Sequence, residues 1–516
     1  MKFPKNSIIL LLFLILLMQV FLRIPFLQEP LEGDEAVYAY IADGLSLGEV
    51  PYKDVFDHKP PAIYFAFALI LKLLGRSILG VRLASLIFGL LTTLVLFAVG
   101  LYLLGPKGGL AAAFLYGLFS GGPYIEGSNS NTETFMILFI LLGLLFFLMG
   151  AREEKRRSWF YFLAGISSGL AFMFKQVALF NFIALLLFVT PFPFTRQIFK
   201  QMKELARSWF WLIIGFLIFP LIFFVYFYSK SALKDFIELA YLFNFNYVKP
   251  NIIFFLFRIV TLAYLENSIL WVLALVGAIY ILFKDREKGM VFLVVWGLFS
   301  LAGSWMGGYG FGHYFIQALP TLCLLSGYAL LKWRKNRPPL WINTAGIAIL
   351  VFLGFIIILN QFQFYMFYNP AQISMVKYAH PYQIIAYEIG NRIKPTLKRD
   401  DYILVKGMPQ IYFYSGARAP SRFFYGLPML GGYRASFYML QRETYRVDFM
   451  GSVKKEYAEM EIKDAVAALR NKKTKYFIVK SEFLRPAHLP EINSNYEFVK
   501  EWSRGAALVF RRAKNT

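Results

Sequence analysis

The chain has 516 residues, 58% of them hydrophobic and 19% aromatic, with a mean hydropathy of +0.53. A soluble globular chain of this length does not carry so much apolar matter, so a fold surrounded only by water is excluded. The formal charge of +23 would suit nucleic acid, but the basic residues stand in short clusters between apolar runs of eighteen residues or more, the pattern of a multi-span membrane protein. The single cysteine, Cys323, lies inside an apolar run, which excludes an intramolecular disulfide and a thiol metal cluster.

Lys2 and Lys5 precede an apolar stretch from Ile8 to Leu22. No small-residue cleavage site follows it, so it reads as a first span rather than a signal peptide. A span needs about 20 apolar residues, and further spans are expected near 80–104, 109–124, 132–150, 158–173, 176–192, 208–229, 262–283, 289–306, 313–331 and 340–360. That makes about eleven transmembrane helices. Alternate loops collect Lys and Arg, at Lys2 and Lys5, Lys107, Arg152 to Arg157, Arg196 to Arg207, Lys284 to Lys288 and Lys332 to Arg337. Cytoplasmic loops do this, so the N-terminus is expected inside a cell (inner) membrane and the C-terminus outside.

The expected fold class is therefore a polytopic α-helical membrane protein over 1–360 with a small extracytoplasmic α/β domain over 375–516. DYILVK at Asp401 to Lys406, KYFIVK at Lys475 to Lys480 and ALVFRR near the end read as strands, and IKDAVAALRNK as a helix. No internal repeat is visible, whereas many transporter folds are built from repeated halves.

Chemistry is expected in the outer loops. The first, over 25–76, carries Gly33-Asp34-Glu35 and then Val37, Ile41 and Leu45 at helical spacing, a helix expected on the surface near the membrane plane. Asp34 and Glu35 either cap that helix and complement its dipole, or supply a general base or a metal-binding carboxylate at the lipid interface. Asp57, His58 and Lys59 crowd together before Pro60-Pro61, which stiffen the chain. A Lys ammonium there either snorkels or neutralises a lipid phosphate. Glu126 and Glu133 bracket a polar loop in which Asn131 or Ser130 can cap the next helix. Lys175 breaks an apolar stretch, as an anchor or a second phosphate ligand. His313 and Tyr314 follow a glycine-rich stretch at the same expected face. No Ser/His/Asp order, HExxH run or nucleotide-type glycine loop is present, so a lipid-borne substrate is expected.

GDEAVYAYIADGL, YKDVFDHKPPAIY, VRLASLIFGLL, SNTETFMILF, GLAFMFKQVAL and HYFIQALPTLCLLSGYAL occur in this order. Together they resemble the landmarks of the GT-C superfamily of membrane glycosyltransferases, in particular bacterial relatives of the dolichyl-phosphate-mannose protein mannosyltransferases and of the lipid A aminoarabinose transferases. The resemblance runs from about residue 1 to 335. It implies an inverting glycosyltransferase that moves a monosaccharide from a polyprenyl-phosphate donor to a lipid, glycan or protein acceptor, with no nucleic acid partner. It implies Asp34, with Glu35 beside it, as catalytic base or metal-site carboxylate, and Lys59, His58 and Lys175 around the donor phosphate. Asp57, Glu133, Asn131, His313 and Tyr314 are further site candidates. His313 stands where relatives have Arg-Tyr or His-Tyr. A divalent metal ion as cofactor is left open, with Asp34 as its ligand. The rival from another class is a flippase or transporter of lipid-linked sugars, which would place charges along the spans rather than at one rim.

Overall fold

The computed structural model describes residues 5–189, 197–244, 251–336, 339–425, 455–481, 484, 488–503 and 507–513. Lys2, Arg196 and Arg337 of the basic clusters, and 190–192 of the sixth expected span, lie outside them. In a hydrocarbon layer every backbone polar group must be satisfied within its own segment, and the apolar runs are accordingly helical. In chain order these are α1 (Lys5–Arg23), α2 (Gly33–Ser46), α3 (Ala62–Leu74), α4 (Ile78–Phe119), α5 (Thr132–Arg152), α6 (Arg157–Phe174), α7 (Ala178–Val189) and α8 (Gln197–Ser229). Helices Ile252–Leu262, Ser268–Phe283, Lys288–Met306, Leu319–Asn336 and Leu340–Met366 follow. Among the described residues seven helical stretches are long and apolar enough to cross a membrane, and α3 and α7 are shorter apolar helices.

Helix α4 shows how composition sets the path. A straight helix of its 42 residues would be about 63 Å long, twice a bilayer core. The chain instead reverses at Gly105, whose φ of +76° only glycine adopts freely, and Pro106 opens the returning arm. The arms touch through glycines, since a Cβ on Gly109 would lie 2.8 Å from the Phe97 carbonyl oxygen and 2.9 Å from the Leu101 nitrogen. Gly109→Leu is expected to force the arms apart and destabilise the fold by about 1–3 kcal/mol, read as a lower midpoint of thermal unfolding in detergent. A variant melting with the wild type would show that the arms can separate freely.

The basic clusters meet at the end of the bundle that holds this reversal. Arg152 donates to the Tyr102 carbonyl, Arg157 lies 4.0 Å from Glu204, and Lys332 pairs with Asp285 at 2.5 Å. Between α6 and α7 the helix stops at Lys175, whose φ and ψ of −157° and 133° are extended.

The C-terminal part forms a four-stranded sheet of β1 (Tyr402–Lys406), β2 (Thr474–Lys480), β3 (Tyr496–Phe498) and β4 (Ala507–Arg512), in the order β1-β2-β4-β3. β1 and β2 are parallel, and β4 runs antiparallel to both of its neighbours. Leu404, Phe477 and Val479 alternate onto one face and pack on Ala465 and Leu469 of the helix Lys455–Arg470. Residues 410–425 reach the other way, onto α2. Tyr40 stacks on Phe424 with ring centroids 4.0 Å apart and lies under the Arg418 guanidinium at 3.7 Å. Leu31 N donates to Tyr414 Oη at 2.8 Å, and Phe56 N to the Arg422 carbonyl at 3.0 Å. Helix α2, expected on the surface, is thereby buried from Glu35 to Ala42.

Candidate active site

The acidic loop begins with a cap. Glu32, not Asp34, is the N-cap of α2: its side chain accepts from Asp34 N at 2.7 Å, while Glu35 accepts from Glu32 N at 2.9 Å, a reciprocal capping box. The two neighbouring acids then part. Glu35 turns inward, fully buried, to Arg82 of α4 at 2.7 Å and Ser130 N at 2.7 Å. Asp34 faces the other way and meets Lys59 Nζ at 3.2 Å, with Tyr38 Oη donating to it at 3.1 Å.

Lys59 is held by its backbone. Its carbonyl accepts from Tyr52 Oη at 2.6 Å and Tyr64 Oη at 3.2 Å, and the prolines after it start α3. Asp57 locks the same turn, accepting from His58 N at 2.8 Å, Tyr64 Oη at 2.8 Å and Tyr425 Oη at 3.3 Å. The His58 carbonyl accepts from Asn244 at 2.8 Å, and its ring lies against Phe243. Asp57 and His58 thus shape the turn from which Lys59 projects.

Electrostatics separates these groups. Burial opposes the charge on Asp34, but Lys59 first, then His313 and His58, outweigh it and hold its carboxyl down at about 2. Burial likewise opposes the Lys59 charge, and Asp34 leads the groups that raise its ammonium above the ordinary range. Asp34 remains 39% exposed at its side chain, the open wall of an otherwise closed pair.

Glu133 sits in the first turn of α5 and pairs with Lys175, while Thr132 Oγ1 donates to its second oxygen at 2.8 Å. Lys175 Nζ lies 3.8 Å from the centroid of the Tyr314 ring. His313 Nδ1 is 2.6 Å from Glu126 Oε2, and its Nε2 is 4.0 Å from Glu133 Oε1. Asn131 is the N-cap of α5 by position, but its side chain makes no capping bond. Segments more than two hundred residues apart in the chain therefore meet as two lysine–carboxylate pairs, one tyrosine face and one histidine. Sequence reasoning treated Glu126 as a loop acid and gave no place to Arg82, Tyr38, Tyr64 or Tyr425. The order of polar residues in VRLAS and EGSNSNTETF was the available signal, but pairing needs the third dimension.

The donor set does not suit a divalent cation. Among the described residues no group of three or more His, Cys, Asp and Glu side chains is placed to share an ion, and Asp34 already faces an ammonium.

Residues 58–228 match the family of dolichyl-phosphate-mannose-protein mannosyltransferases. No curated protein sequence matches the chain at a significant level. Among solved structures, ArnT from Cupriavidus metallidurans bound to undecaprenyl phosphate is 13% identical, with 99% of each chain covered and a TM-score of 0.62. The oligosaccharyltransferase of Archaeoglobus fulgidus, tethered with an acceptor peptide containing the NVT sequon, is 12% identical, with 99% of this chain and 74% of that one covered and a TM-score of 0.51. The same enzyme in complex with Zn and sulfate is 15% identical, covers 97% and 73%, and gives a TM-score of 0.50. At these identities the structural likeness speaks for the fold, and the family match speaks for the region that holds Lys59, Glu133 and Lys175. Residues 58–228 thus match the dolichyl-phosphate-mannose-protein mannosyltransferase family, and the whole chain shares the fold of ArnT.

Proposed function

We propose that this protein transfers a monosaccharide from a polyprenyl-phosphate donor to a lipid, glycan or protein acceptor hydroxyl, with inversion, at the extracytoplasmic face of a cell membrane. The reading is carried by the Asp34–Lys59 contact of 3.2 Å beside the Glu133–Lys175 pair. The co-crystallised undecaprenyl phosphate of ArnT supports the donor class, and the Lys/Arg distribution supports the orientation.

In the proposed reaction Lys59 and Lys175 receive the donor phosphate. A carboxylate held at about 2 is a weak base. When the phosphate draws the Lys59 ammonium to itself, Asp34 loses the partner that depresses it and gains basicity as the donor arrives. The acceptor oxygen then attacks the anomeric carbon, its proton passes to Asp34, and the bond from that carbon to the phosphate oxygen breaks. Polyprenyl phosphate leaves as an anion compensated by the two lysines.

The test uses full-length protein in nanodiscs with labelled undecaprenyl-phosphate sugars and membrane-extract acceptors. Release of undecaprenyl phosphate coupled to a glycosylated product is expected. Movement of intact donor across the bilayer without cleavage would instead identify a flippase.

A further inference from the structure

Glu126 and His313 are titratable groups at this site that the proposed reaction leaves unused. Their contact is built by the backbone. Glu126 has a φ of +58°, a left-handed conformation that costs a non-glycine residue about 1–2 kcal/mol and is kept where the surroundings enforce it. Gly312 presses on the 120–131 turn so closely that a Cβ there would overlap the Tyr124 carbonyl oxygen, and one on Gly127 would overlap that of Ser120. The two backbones are thus locked together with the Glu126 carboxylate aimed at the imidazole. Phe311 stacks on the ring with centroids 5.5 Å apart.

The charges around this ring leave it the deciding role. Glu126 from the turn, Glu133 from α5 and Asp34 from α2 act on His313, while Lys175 and Lys59 neutralise the last two. Arg258 and Lys377, and the Glu32 and Glu266 carboxyls, act on Glu126 from outside, and Tyr314 adjoins the ring. Three carboxylates thus face two ammoniums at the centre, and only histidine ordinarily changes charge near neutral pH. A phosphate entering this set meets one cation more while the imidazole carries a proton than when it does not.

We propose that His313, oriented by Glu126, is a third cation for the donor phosphate, so that loss of its proton weakens binding of the lipid. This rests on the assignment of Lys59 and Lys175 to that phosphate. Glu126 is the positioning residue, acting through the imidazole.

Binding of undecaprenyl phosphate alone to the full-length protein in phosphatidylcholine nanodiscs, followed by tryptophan fluorescence between pH 5.5 and 8.5, tests it. The ligand takes up a proton near pH 6 on its own account, so His313→Arg, which keeps a fixed cation, serves as the reference. Relative to that variant, wild-type affinity is expected to fall about tenfold across the range as the imidazole deprotonates. Glu126→Gln, which no longer fixes the imidazole, weakens binding at the acid end of the range, and His313→Gln binds weakly throughout. Parallel curves for wild type and His313→Arg overturn the inference. If in addition Lys59→Ala binds like wild type, the phosphate assignment beneath it falls as well; if Lys59→Ala loses binding, that assignment stands and only the role of His313 is lost.

Discussion

Replacing Asp34 with Asn is expected to lower turnover by about 10²–10⁴-fold while changing the apparent affinity for the donor far less. The amide keeps the size of the carboxylate and its contact with Tyr38 Oη, but it takes up no proton and lends Lys59 no charge. Steady-state release of undecaprenyl phosphate across a donor titration separates the two effects. A variant that keeps more than a tenth of wild-type turnover would remove Asp34 from the reaction. The pH dependence sharpens the point. The Asp34 carboxyl sits at about 2 against an ordinary 3.8, so its contribution to stability is complete above the ordinary value and lost as pH falls through the lower one. The free protein should therefore show no acid limb from this group at any pH where the membrane protein is stable. Lys59→Ala removes the largest lowering influence, and the acid limb is then expected to move upward.

The largest structural effect is expected at Arg82. Its guanidinium is 1% exposed, 2.7 Å from Glu35 and 2.8 Å from Asn129 Oδ1, and it also reaches the Pro30 carbonyl at 3.2 Å. Lys377 extends the network to Glu29 at 3.1 Å and to Asn129 at 2.7 Å. Arg82→Met strands the buried Glu35 carboxylate and should cost about 3–5 kcal/mol, seen as a lower unfolding midpoint in detergent and a lower folded yield. Glu35→Gln added to Arg82→Met should recover part of the loss, because the amide carries no charge to strand. A single variant as stable as wild type would show that water reaches this network.

The apolar helices and three of the four tail strands were legible because each is written locally, as an apolar run or a short β-rich segment between charges, whereas the three-residue β3 is too short to stand out. The break at Lys175 was legible for the same reason, as a polar patch in an apolar stretch. Asp34, Lys59, Glu133, Lys175 and His313 could be singled out as polar residues at one expected rim. Which of them pair could not. The Glu126–His313 contact joins residues 187 apart and Glu35–Arg82 residues 47 apart, and no periodicity encodes such pairings. The division of labour between Asp34 and Glu35 was hidden too, because two adjacent acids look alike until a helix turns them to opposite sides. The burial of α2 was unreadable because the covering segment lies almost four hundred residues later in the chain.

That last arrangement has a consequence for the order of assembly. Leu31 donates to Tyr414, 383 residues later, so α2 leaves the ribosome long before the segment that covers it. Contacts of such long range form late and slowly, so the helix bearing Asp34 waits uncovered while the spans insert. The candidate site is therefore completed only after Tyr414 has been made. A chain cut short before residue 410 would lack the packing that covers the helix of Asp34.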